Sequence, residues 1–133
     1  MRIAFIDDDA FAYKIYGTIL RQNGTITAID SFDTYLSPHA FFDASTEQDH
    51  YDVVISDLNL KNQEFDGIDL LSTYQKKVDK EITLVLLTGD TSQELQHRLS
   101  SYPNINYIRK GSRGEENSPY LIIKRLVQAA RKE

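Results

Sequence analysis

Tyr51-Asp52-Val53-Val54-Ile55-Ser56-Asp57-Leu58-Asn59 is the stretch from which the fold can be read. Val53, Val54 and Ile55 are consecutive, apolar and β-branched. A short run of that kind suits a central strand covered on both faces. It stops at Asp57. A carboxylate at the carboxyl end of a buried strand stands where open α/β sheets place their ligands, in the crevice beyond the strand ends.

Three other runs end in the same way. Arg2-Ile3-Ala4-Phe5-Ile6 leads into Asp7-Asp8-Asp9, Ile82-Thr83-Leu84-Val85-Leu86-Leu87 into Thr88-Gly89-Asp90, and Ile105-Asn106-Tyr107-Ile108-Arg109 into Lys110. If these strands are parallel neighbours, Asp7, Asp8, Asp57, the Thr88 hydroxyl and the Lys110 ammonium converge on one spot. Such a group suits a divalent cation and a phosphoryl group.

Between these strands the periodicity changes. Ala10, Tyr13, Ile15, Tyr16, Ile19 and Leu20 recur at roughly helical spacing, with Asn23-Gly24 as a stop. Thr25 to Ile29 is alternating and β-branched, which predicts a second strand near an edge. Ser37-Pro38 predicts a helix start, with serine as cap and proline in the first turn. That helix is read as short and polar, ending near Ser45. Gly67 to about Val78 carries Ile68, Leu70, Leu71, Tyr74 and Val78 at helical spacing. Thr91 or Ser92 caps a weaker fourth helix containing Leu95 and Leu99, broken by Pro103-Asn104. Ser118-Pro119 opens a fifth, with Leu121, Ile122, Leu126 and Val127 on its stripe. Five strands alternating with five helices predict an α/β fold, a doubly wound parallel sheet with helices on both faces and right-handed crossovers.

The bulk numbers agree with one domain spanning 1–133. The chain is 41% hydrophobic and 26% charged, as globular domains are, and long enough for one core. It has no cysteine, so thiol chemistry, disulfides and Cys-based zinc sites are excluded. The start lacks the apolar region of a signal peptide, and no apolar run approaches the roughly 20 residues of a membrane span. A cytoplasmic location is expected. A net charge of −5 weighs against nucleic-acid binding through a broad basic surface.

Each polar strand end has a plainer reading on its own. Asp7-Asp8-Asp9 suits a helix N-terminus, Asp57 an ordinary loop acid, Thr88-Gly89 a turn, and Lys110 a solvated surface residue. Register argues for the joint reading, because the first polar group after an apolar run recurs at four strand ends. A hard cation such as Mg2+ takes one or two carboxylates plus phosphate oxygens. Asp7, Asp8 and Asp57 supply carboxylates, with the Asn59 carbonyl as a further ligand. Neighbouring carboxylates raise one another's pKa unless a cation neutralises them. Asp57 is placed to form an acyl phosphate, with Thr88 and Lys110 on the remaining phosphoryl oxygens. Gly89 leaves the backbone N–H after Thr88 open to a phosphate oxygen.

At these residues the chain resembles the receiver domain of two-component response regulators, over essentially its whole length. The resemblance is carried by Asp7-Asp8, Asp57, Thr88-Gly89, and Tyr107 three residues before Lys110. It implies a flavodoxin-like strand order, 2-1-3-4-5. It also implies that Asp57 accepts phosphate from a histidine kinase or histidine phosphotransfer protein, and that Asp8 binds Mg2+ directly with Asp7 assisting. Thr88 and Tyr107 match the pair whose movement alters the surface of the fourth helix, fifth strand and fifth helix for a downstream partner. Asp9 matches no ligand position and is read as a helix-start acid. Two features depart from the family. Leu60 to Gly67 lacks a proline and is about two residues longer than usual, and Lys110 is followed by Gly111 instead of proline. A cis peptide before a non-proline residue costs roughly 2.5–4 kcal/mol, so a trans Lys110-Gly111 bond is expected.

The leading expectation is a phosphorylation-dependent switch without a separate substrate, its catalysis limited to its own phosphotransfer and dephosphorylation. It would stand alone or be the receiver part of a longer transcriptional or enzymatic regulator. A haloacid dehalogenase-like phosphatase needs a second acid two residues after the nucleophile, where this chain has Asn59. Nucleotide or flavin binding lacks its phosphate cradle, since neither G-x-x-x-x-G-K-S/T nor G-x-G-x-x-G is present. A degenerate docking module would have lost the acidic pair, the aspartate or the lysine, all retained here.

Overall fold

The computed structural model describes residues 2–7, 31–44, 50–60, 65–78, 81–109 and 125. In chain order they form β1 (Arg2–Ile6), β2 (Ser31–Tyr35), α1 (Pro38–Ala44), β3 (Val53–Asp57), α2 (Gly67–Lys77), β4 (Thr83–Thr88), α3 (Gln93–Leu99) and β5 (Ile105–Arg109). The five strands make one parallel sheet in the order β2-β1-β3-β4-β5. This is the doubly wound flavodoxin-like order, and the order reverses between β1 and β3.

Burial explains the strand sequences. One face carries Ala4, Ile6, Val54, Leu84, Leu86 and Ile105 against Phe41 of α1, Ile68 and Leu71 of α2, and Leu95 of α3. On the opposite face Ile3, Phe5, Val53, Ile55, Val85 and Leu87 are equally buried. Both faces are therefore apolar, and the Val53-Val54-Ile55 run has no polar alternation because neither side meets water. Each such side chain contributes about 1.5–3 kcal/mol by leaving water.

The helix starts follow local hydrogen-bonding chemistry. Ser37 Oγ accepts the Ala40 N–H at 3.1 Å, with Pro38 in the first turn of α1. Asp66 caps α2 through a reciprocal box: its carboxylate accepts the Asp69 N–H, and the Asp69 carboxylate accepts the Asp66 N–H. Ser92, not Thr91, caps α3, its Oγ accepting the Leu95 N–H at 3.2 Å.

Two expectations are corrected. The strand that pairs with β1 is Ser31–Tyr35, running from Arg2↔Ser31 to Ile6↔Tyr35, whereas Thr25 to Ile29 lies outside the described residues. An edge strand pairs on one side only, so its own β-propensity is a weak guide to register. The helix read as short and polar is short, yet it anchors an aromatic cluster. The Phe41 ring lies 4.9 Å from Tyr74, 5.5 Å from Tyr35 and 5.9 Å from Tyr51, centroid to centroid. One fully buried phenylalanine holds α1 down, a contribution that periodicity over seven residues does not reveal. The first predicted helix lies outside the described residues, as does the last except for Arg125, which is helical and exposed. Among the described residues no helix is long and apolar enough to cross a membrane.

Near the amino ends of β1 and β3, polar groups gather under α1 and α2. Tyr51 donates its hydroxyl to Asp33 Oδ2 at 2.8 Å and hydrogen-bonds the Tyr35 hydroxyl. Its backbone N–H reaches the Tyr74 hydroxyl at 2.8 Å. The Arg2 guanidinium lies 4.5 Å from the centre of the Tyr51 ring and 3.8 Å from Asp33. Asp52 accepts the Arg2 N–H at 2.8 Å.

Candidate functional site

The site is built by strand register. Ile6 pairs with Ser56 across β1 and β3, so Asp7, one residue further, stands level with Asp57. Asp57 in turn is level with Leu87 on β4, which sets Thr88 one residue beyond. Thr88 pairs with Arg109 on β5. Three strands thus bring Asp7, Asp57 and Thr88 to one edge of the sheet, at the carboxyl ends where the order reverses.

Asp7 is fully buried and its N–H continues the ladder to the Tyr35 carbonyl at 3.1 Å. Asp57 is half-buried, and its Oδ1 accepts the Leu58 N–H at 2.9 Å, which fixes the carboxylate's orientation. Its carbonyl accepts the Ser56 hydroxyl at 2.9 Å. Asn59 is exposed in the loop beyond, and Gly89 is exposed after β4. A Cβ built on Gly89 would meet nothing within 4 Å. Asp8, Asp9 and Lys110 with its following glycine lie outside the described residues. Among the described residues no group of three or more acids and histidines is close enough to hold a metal ion; the pair described here is Asp7 and Asp57.

Thr88 is buried at the end of β4. Its Oγ1 accepts the Asp90 N–H at 3.2 Å. Tyr107, half-buried on β5, donates its hydroxyl to the Asp90 carbonyl at 2.7 Å. Both predicted switch residues therefore meet on the backbone of Asp90, a residue the sequence reading passed over. The Asp90 side chain accepts the Ser92 N–H at 2.8 Å, the Asx-turn habit of aspartate two residues before its donor. The Ser92 backbone and side-chain bonds hold its carboxyl below the usual range. The stretch Thr88-Gly89-Asp90-Thr91-Ser92 carries the turn signal that would have found it.

Gly67 was also missed as part of the site. Its N–H donates to the Leu58 carbonyl at 2.8 Å. A Cβ there would lie 2.2 Å from the Asp57 carbonyl oxygen and 2.8 Å from Leu86 Cδ1. The first residue of α2 thus sits against the backbone of the strand-end aspartate, closer than any side chain allows. The Asp-Gly pair before an apolar periodic run was the available signal.

Carboxylates on adjacent strands and a buried hydroxyl one step along gather hard oxygen atoms at one end of the sheet. Hard divalent cations and phosphoryl oxygens are the partners that such donors accept.

The fold and this edge define a doubly wound α/β domain with its acids at the topological switch point. Comparison with known proteins gives the class a family. The response regulator receiver domain pattern matches residues 3–117, and the chain belongs to that family. Its members are phosphorylation-dependent signalling domains, not enzymes acting on a separate substrate. A comparison with curated proteins finds no match. Among solved structures the chain is similar to the BeF3-activated DrrB receiver domain, with 19% identity, TM-score 0.74, and 99% of this chain and 97% of that one covered. It is similar to a two-component transcriptional regulator AraC from Clostridium phytofermentans, with 15% identity, TM-score 0.72, and 98% and 90% covered. The Vibrio cholerae chemotaxis protein CheY4 aligns with 17% identity, TM-score 0.69, and 97% of each chain covered. At such identities these likenesses establish the fold.

Proposed function

We propose that Asp57 is the phosphoacceptor of a signalling switch, charged by a histidine kinase or a histidine phosphotransfer protein. The observation that carries this is the level placement of Asp7 and Asp57 on adjacent strands, with Thr88 one residue along the next. An Asp57 carboxylate oxygen bonds the phosphorus as the bond from phosphorus to the donor breaks. The donor group leaves with the electron pair, and the product is an acyl phosphate. Oδ1 is oriented by the Leu58 N–H, so the carboxylate is preorganised for attack.

The donor set fits Mg2+. Two level carboxylates, one of them fully buried, are hard oxygen ligands whose mutual repulsion a cation relieves. Asp7, Asp8, Asp57 and the Asn59 carbonyl would hold it. When bound, Mg2+ neutralises charge where phosphoryl oxygens converge. The Gly89 N–H and the Lys110 ammonium are assigned to the remaining oxygens, with Thr88. The Thr88 hydroxyl accepts from Asp90, and a hydroxyl that accepts there keeps its own O–H to donate. Drawing Thr88 toward a phosphoryl oxygen pulls on the Asp90 backbone, from which Tyr107 hangs. The surface of α3, β5 and the helix predicted after it changes in consequence. A downstream protein or a fused output domain reads that surface, and the switch resets by hydrolysis of its own acyl phosphate. The new bond exists in one state only, as a shift of population requires.

The test is phosphorylation by acetyl phosphate with Mg2+, read by intact mass. One phosphoryl mass is expected, lost in Asp57→Asn and without Mg2+. Labelling that persists in Asp57→Asn overturns the assignment. A beryllofluoride complex should bring Thr88 toward Asp57 and turn the Tyr107 ring; both residues unmoved would exclude this output route.

A further inference from the structure

Arg98, in the last turn of α3, reaches across to the start of α2. Its Nη1 donates to Asp66 Oδ2 at 2.5 Å, its Nη2 to Asp66 Oδ1 at 3.3 Å, and Nη2 lies 3.7 Å from Asp69 Oδ1. The fork is bidentate, the arrangement for which a planar guanidinium is suited and an ammonium is not. Its acceptor Asp66 and its ion-pair neighbour Asp69 are the two acids of the α2 capping box. Each helix end also receives the charge its dipole favours, acids at the start of α2 and a cation in the last turn of α3.

Asp66 precedes Gly67, and Gly67 is the residue pressed on the Asp57 carbonyl. A chain of direct contacts therefore runs from α3 through Arg98, Asp66 and Gly67 to the backbone of Asp57, separate from the route through Thr88, Asp90 and Tyr107. We propose that Arg98 is a positioning residue for Asp57, fixing the acceptor's backbone through the start of α2 and tying the placement of α3 to it. The proposal rests on Asp57 being the phosphoacceptor. Arg98 contacts Asp66 and Asp69, not the acceptor's carboxylate. It acts by holding geometry, and a misplacement of about 1 Å at a reacting group costs on the order of a hundredfold in rate.

Substitutions at the pair separate this role from helix capping. Asn is as good an N-cap as Asp, so Asp66→Asn keeps the Asp69 N–H satisfied while removing the charged fork. Arg98→Gln removes it from the other side. The full chain is assayed for its rate of labelling by acetyl phosphate at saturating Mg2+, well below its unfolding temperature. Backbone amide exchange at Gly67 and Ile68 is followed in parallel. Arg98→Gln and Asp66→Asn should each slow labelling about three- to tenfold and speed exchange at Gly67 over a similar range. The double variant should be no slower than either single, since both remove one interaction. Arg98→Lys should recover part of the rate. Two single effects that multiply, or labelling and exchange both within twofold of wild type, overturn the proposal. Should the wild type fail to label, the assignment of Asp57 falls, and the exchange rates alone judge the clamp. Equal acceleration in both singles then supports it, and unchanged exchange overturns it.

Discussion

Beside the middle of β1 and at the amino end of β3, Asp33 and Asp52 sit among donors. Asp33 has the Tyr51 hydroxyl and the Arg2 guanidinium, and Asp52 has the Arg2 N–H. At the carboxyl ends of the same strands, Asp7 and Asp57 are drawn level with each other, like charge beside like charge. Both regions bury polar groups in one sheet, but the first closes its hydrogen bonds around an arginine and three tyrosines. Burial, the Tyr35 hydrogen bond and Asp33 push the Tyr51 phenol far above its ordinary range. Burial likewise raises Tyr74. Both shifts favour the neutral phenol. At the carboxyl end two carboxylates stand level, and the proposed function brings a cation and phosphoryl oxygens to them.

The comparison breaks most sharply at Gly67, which holds the carboxyl end together by having no side chain. In Gly67→Ala the new Cβ would fall 2.2 Å from the Asp57 carbonyl oxygen and 2.9 Å from its carbon. Backbone cannot swing aside as a side chain can, so α2 or the end of β3 must move. Overpacking of this kind costs about 1–3 kcal/mol. Urea unfolding should show that loss, and labelling of Asp57 should fall by more than tenfold on the order expected for misplaced reacting groups. A variant that loses stability but labels normally would show that the acceptor's geometry does not depend on this contact.

The amino end should respond in the opposite way. Tyr51→Phe keeps the ring against Phe41 and under Arg2 but removes the hydroxyl shared by Asp33 and Tyr35. Leaving partners of a buried hydroxyl unsatisfied costs about 1–3 kcal/mol, and half-exposed Asp33 can turn to water, which favours the low end. Denaturant unfolding should register about 1 kcal/mol, while the labelling rate stays within twofold of wild type. A labelling rate that fell with stability would mean the two ends are not independent.

Much of this division was legible in the sequence. Strand ends announce themselves when an apolar run meets a polar residue, and the alternation of such runs with helical periodicity predicted the doubly wound sheet, whereas the strand order was implied by the family resemblance. Val53-Val54-Ile55 before Asp57 and Leu84 to Leu87 before Thr88 are of that kind. Hidden from the sequence were features that depend on what lies opposite. Ser31–Tyr35 was misplaced because an edge strand's register belongs to its partner β1. The helix after Ser37-Pro38 was read as polar, and the place of Phe41 against Tyr35, Tyr51 and Tyr74 depends on residues from three other segments. Asp90 contributes backbone atoms to Thr88 and Tyr107, and backbone leaves no residue-type signature. Arg98 and Asp66 are 32 positions apart, and nothing in their local spacing pairs them.

The smallest expected effect concerns acid, and it separates paired from gathered carboxylates. Burial tends to raise the Asp66 carboxyl, but the Arg98 hydrogen bond, the Asp69 backbone N–H and the Arg98 charge outweigh it and hold it below the usual range. The hydrogen bond to Asp66, with the Asp66 and Asp69 charges, in turn raises Arg98 against the opposing effect of burial, so the two partners agree. A carboxyl whose folded pKa lies below its unfolded value of about 3.9 stabilises the fold fully above that value. It loses this contribution as the pH falls through the folded pKa. The midpoint difference between wild type and Asp66→Asn should therefore be constant from neutral pH down to about 5 and shrink below about 4. The pair is part-exposed, so screening keeps the difference small, and raised salt should narrow it further at neutral pH. A difference that instead grew as the pH fell would mean the Asp66 carboxyl is raised in the folded state, with burial winning over Arg98. The guanidinium would then not be the partner that sets the start of α2.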